Sequence, residues 1–154
     1  MWYDQGMSES LIQNKKAYFN YEIMEKYTAG IELFGFEVKS LKEKRGQIDG
    51  AYVTVRGGEA FLIGANIPAH QPVNAPEDFN SLRNRKLLLT KKEIKLLAEK
   101  EAEKGLTIVA IAVYNNNKKL KLEIGIGKGK KSFDKRESIK KRETDREIRR
   151  TLKN

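Results

Sequence analysis

From Leu120 to Gly127 the chain alternates without a break. Leu120, Leu122, Ile124 and Ile126 are apolar, and Lys121, Glu123, Gly125 and Gly127 stand between them. A period of two puts the apolar side chains on one face of a strand, and that face must be covered. One strand cannot cover itself, so the chain has to build a sheet around this segment. The two glycines on the outer face either flatten the strand or let another backbone come close.

The remainder of the chain supplies the partners. Tyr52–Arg56 and Glu59–Ile63 are two β-prone runs around Gly57-Gly58, which predicts a hairpin with a tight primed turn. Leu106–Tyr114 is rich in β-branched residues, and Asn115–Lys119 turns the chain into the alternating run. Tyr18–Leu33 mixes aromatics, β-branched residues and charges, and reads as one extended strand or a bent pair. Phe36–Lys44 predicts a short helix ended by Gly46. Pro68, Pro72 and Pro76 mark a long exposed loop. Thr90-x-x-Glu93 is a capping box, Ile94, Leu97, Ala98 and Ala102 form an apolar stripe, and Gly105 follows as a cap, so one clear helix fills this stretch. About six antiparallel strands with peripheral helices predict a mainly β (α+β) fold. A small closed barrel of the oligonucleotide-binding (OB) type protects the strand edges at this size.

After Gly127 the apolar content collapses. Residues 128–154 hold twelve Lys/Arg against five Asp/Glu, a net of +7 in a chain of net +10, which leaves +3 for the first 127 residues. The expected organisation is therefore a short disordered leader over 1–13, a barrel over 14–127 and a basic tail over 128–154. The tail has too little apolar surface to offset the ordering of its backbone alone, yet its Lys/Arg/Glu content favours helix once a partner covers it. A cationic arm on a nearly neutral body suits a polyanion such as RNA, because each neutralised phosphate releases a counterion. The competing reading is a merely solvated tail. Gly127-Lys128-Gly129-Lys130-Lys131 lacks P-loop spacing. It reads as a clamp on a nucleic-acid backbone or as a glycine-rich strand end.

Other chemistry is thin. There is no Cys, and His70 is the only histidine, so neither a thiolate metal site nor a nucleophile–base pair is expected. The first 13 residues lack the charged start and apolar run of a signal peptide, and no stretch is long and apolar enough for a membrane helix. The expectation is a cytoplasmic protein, monomeric when free, with no cofactor and no metal. The aromatics Tyr18, Phe19, Tyr21, Tyr27, Phe34 and Phe36 are mostly core, with one or two left to stack on bases.

Several blocks together resemble the SsrA-binding protein (small protein B) family. They are Asn14-Lys15-Lys16-Ala17, Ala29-Gly30-Ile31, Gly35–Leu41 with its Glu37-Val38-Lys39-Ser40-Leu41, Gly58–Leu62, Arg85–Leu89, Gly105–Val109, Gly127–Lys131 and Asp134-Lys135-Arg136. They fall in the family's order over residues 14 to about 150. The resemblance implies an OB-type barrel without enzymatic activity that binds the tRNA-like domain of transfer-messenger RNA (tmRNA). It implies delivery of that RNA to stalled ribosomes for trans-translation, with the tail helical in the mRNA path near the decoding centre. Other small basic ribosome-associated or ribosomal RNA-binding proteins are the alternative. By the same resemblance, RNA contact falls on Asn14, Lys15, Lys16, Glu37, Lys39, Leu88, Thr90, Lys121, Lys128, Lys130 and Lys131. Ribosome contact falls on Asp134, Lys135, Arg136, Lys140, Lys141, Arg142, Arg146, Arg149 and Arg150. Leu88 reads either as core or as an apolar surface for a splayed nucleotide. The chain departs from the family pattern at Thr28, Thr90 and Thr144.

Overall fold

The computed structural model describes residues 9–130 and, in the tail, Arg136, Lys140 and Glu143, which are helical. Seven strands carry the fold: β1 (Glu9–Gln13), β2 (Tyr21–Ile31), β3 (Tyr52–Arg56), β4 (Glu59–Ile63), β5 (Arg85–Leu88), β6 (Leu106–Asn116) and β7 (Lys119–Gly129). Within residues 9–130 three α-helices accompany them: α1 (Ala17–Asn20), α2 (Gly35–Lys42) and α3 (Lys91–Ala102).

The strand order is β1-β6-β3-β4-β5-β2-β7, and β7 also pairs with β6. Leaving out β1, the other six strands close into a ring, so the expected barrel is borne out. All pairings are antiparallel. The hairpin forms where Gly57-Gly58 requires it: both glycines have positive φ, 57° and 77°. Leu120, Leu122, Ile124 and Ile126 all point inward and are buried, as their alternation demands. They meet Ala29, Ile31, Val53, Leu62, Leu87 and Ile108 in one core. Thr90 caps α3 as expected: its hydroxyl accepts from the Glu93 amide at 3.1 Å, and the Glu93 carboxylate accepts from the Thr90 amide at 3.0 Å. α3 closes the barrel with Leu97.

Two expectations change. Residues 9–13 are not leader. Glu9–Gln13 adds to the edge of β6 beyond the point where β3 leaves it, and buries Leu11 and Ile12. A strand edge exposed by the short β3 needs covering, and β1 covers it. Tyr18–Leu33 is neither one strand nor a bent pair throughout, because Ala17–Asn20 forms one helical turn before β2 begins.

The outer glycines of β7 answer a question left by the sequence. A Cβ on Gly125 would stand 2.8 Å from Ile111 Cδ1 and 2.9 Å from Ile23 Cγ2. Side chains rather than another backbone come close: Ile111 and Ile23 fill the space over Gly125, and Tyr21 and Ile23 the space over Gly127. A second, smaller core of Ala17, Val109 and Ile111, with Tyr21 and Ile23, sits here on the outside of the barrel. It roots α1 on β6.

Candidate nucleic-acid interface

The outer face of β2, β7 and β6 carries the expected contact residues. Cross-strand pairing sets a row: Leu88 of β5 opposes Gly30 of β2, Gly30 opposes Lys121 of β7, and Lys121 opposes Tyr114 of β6. Paired residues share a face, so these side chains emerge together. Gly30 leaves a shallow place in the row, and Leu88 leans over it: a Cβ there would stand 3.0 Å from Leu88 Cβ. Leu88 is 52% exposed, which resolves its two readings in favour of surface. An exposed leucine flanked by a lysine offers an apolar seat and a phosphate contact side by side. Two positions on, Tyr114 donates to the Thr28 hydroxyl at 3.0 Å, so Thr28 is held by the protein itself. Thr90 is exposed, with its hydroxyl engaged in the helix cap.

A second group of lysines lies at the far end of β7, where the alternation that turns Lys121 outward puts Lys128 on the opposite face of the strand. Lys128 is exposed opposite Glu22 and Leu106. Lys130 donates through its amine to the Tyr18 carbonyl at 2.9 Å and through its amide to the Asn20 carbonyl at 2.9 Å. The root of the tail is thereby fixed to α1. Lys15 and Lys16 are exposed just before α1. Lys26, on the outer face of β2, sits 5.1 Å from the Tyr18 ring centroid. The hydrogen bond with Tyr18 raises the Lys26 amine above its usual pKa against the small opposing effect of burial. The sequence reading missed Lys26, although the outward alternation Lys26, Thr28, Gly30 of β2 was available to find it. From Lys121 to Lys128 is seven residues, about 23 Å along the strand at ~3.3 Å each, and the odd step turns the two lysines to opposite faces of β7.

The structure removes Glu37 from this surface. It is fully buried, and its carboxylate accepts from Arg85 Nε and Nη2 at 3.0 and 2.7 Å, from Arg83 Nε and Nη2 at 3.2 and 2.5 Å, and from the Phe34 amide at 2.8 Å. Burial alone would raise its pKa, but the two guanidinium groups and the amide outweigh that and hold it below the ordinary 4.5. Arg85 in turn donates to the carbonyls of Ala65, Ser81 and Arg83. Glu37 thus fastens α2 and the 65–83 loop to the barrel. Asn14 is also a correction. Its amide group is buried and donates to the Ala110 carbonyl at 3.0 Å, beside the irregularity in the β6–β7 pairing. It orients Lys15 and Lys16 and is itself committed to the fold. Lys39 is exposed on α2, and no described contact joins it to the β2–β7 row. His70 pairs with Glu43 at 3.0 Å.

Arg136 and Lys140 are exposed on helical backbone. Lys131, Asp134, Lys135, Lys141, Arg142, Arg146, Arg149 and Arg150 lie outside the described residues, as does most of the expected tail helix. Among the described residues no helix is long and apolar enough to cross a membrane.

Barrel, lysine-bearing outer face and basic tail define the class: a small OB-type barrel protein with a cationic platform. The chain belongs to the SmpB protein family, whose model matches residues 11–154. An SsrA-binding protein of Ligilactobacillus salivarius is 48% identical over 145 residues, covering 94% of this chain and 93% of that protein. The SsrA-binding protein of Mesoplasma florum is 47% identical over 148 residues, covering 96% and 99%. One solved chain, from "tmRNA-SmpB: a journey to the center of the bacterial ribosome", superposes with a TM-score of 0.67 at 35% identity, covering 83% of this chain and 93% of that one.

Proposed function

We propose that this chain is a cytoplasmic, non-enzymatic RNA adaptor that binds the tRNA-like domain of tmRNA and delivers it to stalled ribosomes for trans-translation. The observation that carries this reading is continuity. The outer face beside β7 presents Leu88 and Lys121, Lys128 and Lys130 stand at the far end of the same strand, and the basic tail follows β7 in the sequence. One face holds the folded RNA, and the basic tail engages a second ribonucleoprotein. Relatives named for SsrA binding, and a solved neighbour that sets SmpB with tmRNA and the bacterial ribosome, support the choice of RNA. Absence of catalysis is supported by a chain without cysteine whose one histidine is paired with Glu43.

On this reading Lys15, Lys16, Leu88, Thr90, Lys121, Lys128, Lys130 and Lys131 contact the tRNA-like domain. Double-stranded RNA is recognised mainly by shape and phosphate contacts, which suits a platform of lysines around one apolar seat. The tail cations Lys135, Arg136, Lys140, Lys141, Arg142, Arg146, Arg149 and Arg150, with Asp134, engage the ribosome. The test is a gel shift with a tRNA-like transcript against an unrelated duplex at two salt concentrations. Preference for the tRNA-like RNA should persist at the higher salt, where unspecific cationic binding fades. Equal affinity for both RNAs at both salts would end the proposal.

A further inference from the structure

The ring order β6-β3-β4-β5-β2-β7 puts the β3–β4 hairpin across the barrel from the β2–β7 face. Its outer surface is not plain. Tyr52 opposes Ile63, Thr54 opposes Phe61 and Arg56 opposes Glu59, all facing outward, while Val53, Ala60 and Leu62 face the core. Together with Asn84, the residues Tyr52, Thr54, Arg56, Phe61 and Ile63 line an open cleft of about 490 Å³. That is within the range of roughly 300–1,000 Å³ typical of clefts that hold a small ligand.

We propose that this cleft is a second RNA site, which takes an unpaired base and its phosphate from a single-stranded segment. Tyr52 and Phe61 are diagonal neighbours across the hairpin, roughly 7–8 Å apart by strand geometry. Tyr52 is 42% exposed, so its ring is open to a stacking partner. Aromatic side chains on an open sheet stack bases of any sequence.

The charges select the partner. Glu59, opposite Arg56, is engaged by Lys86 at 3.2 Å, so the exposed Arg56 guanidinium has no acidic partner among the described residues. Lys86 itself stands opposite Phe61. Two cations and one carboxylate around two aromatic rings favour a polyanion with π-faces. A protein helix would instead seek a continuous apolar seam, and Thr54, Asn84 and Arg56 interrupt it. Hydroxyl and amide groups at Thr54 and Asn84 suit the polar edge of a base. This site goes beyond the proposed function and uses none of its contact residues, so either reading can fail alone.

The experiment follows a labelled octauridine by fluorescence anisotropy, added to the full chain already saturated with the tRNA-like transcript. The oligonucleotide should join the complex without releasing the transcript. Tyr52→Ala should weaken it at least about five-fold, the lower end for loss of one stacked base. Arg56→Ala should weaken it and lower the salt slope by about 0.7, one single-strand phosphate contact. Both side chains are exposed, and melting temperature with transcript affinity should stay at wild-type values as the check on folding. No binding of the oligonucleotide, displacement of the transcript by it, or equal binding by wild type and both variants would each overturn the proposal.

Discussion

At the scale of the residue, two positions show where a sequence can and cannot be read. Lys121 was legible because an unbroken alternation fixes which side chains point outward. Its replacement by Ala should weaken binding of the tRNA-like RNA and lower the salt slope by roughly one, with little change in melting temperature. Gel shifts across a salt series check this, and an unchanged slope would remove Lys121 from the interface. Glu37 was not legible. Its partners lie 46 and 48 residues further on, and only the folded barrel brings them to it. Glu37→Gln leaves Arg83 and the buried Arg85 without their anion, a loss of about 3–5 kcal/mol. Denaturant titration measures it. The pH dependence follows from the same contacts. Glu37 has its pKa held below the 4.5 of a free glutamate, so its contribution is whole above that value and is lost as pH falls through the lowered one. Wild type should therefore lose stability below about pH 4.5 more steeply than Glu37→Gln, and parallel acid curves would contradict the assignment.

At the scale of the element, legibility followed locality. The Gly57-Gly58 hairpin and the Thr90 cap of α3 are each written in a few adjacent residues, and both formed where expected. Thr90→Ala should cost about 1 kcal/mol, and Thr90→Asn should restore most of it, since both Thr and Asn cap helices. Thermal melts of the two variants decide the matter. Strand β1 was hidden because five residues carry little periodicity, and its partner in β6 lies about a hundred residues away. Removing residues 1–13 strips Leu11 and Ile12 from the barrel. On area alone each buried side chain is worth roughly 1.5–3 kcal/mol. A clear fall in melting temperature is expected. A truncated chain as stable as the whole one would restore the leader reading.

At the scale of the whole molecule, ring closure could be expected from the need to hide strand edges, whereas the strand order could not, because pairing between distant strands leaves no mark in a local pattern. The charge split at Gly127 was visible at once, and it underlies the central claim that platform and tail do different work. On a helix Lys135, Ile139, Arg142, Arg146 and Arg149 recur every three or four residues and share a face, four cations and one apolar residue. The direct measurement is a full-length chain with those four cations changed to Ala, assayed both for affinity to the tRNA-like RNA and for rescue of ribosomes stalled on a message without a stop codon. The account predicts RNA affinity within about two-fold of wild type at moderate salt, because the β2–β7 face is intact, and rescue lost. Equal loss of both activities would contradict it and reduce the tail to a second anchor for the same RNA.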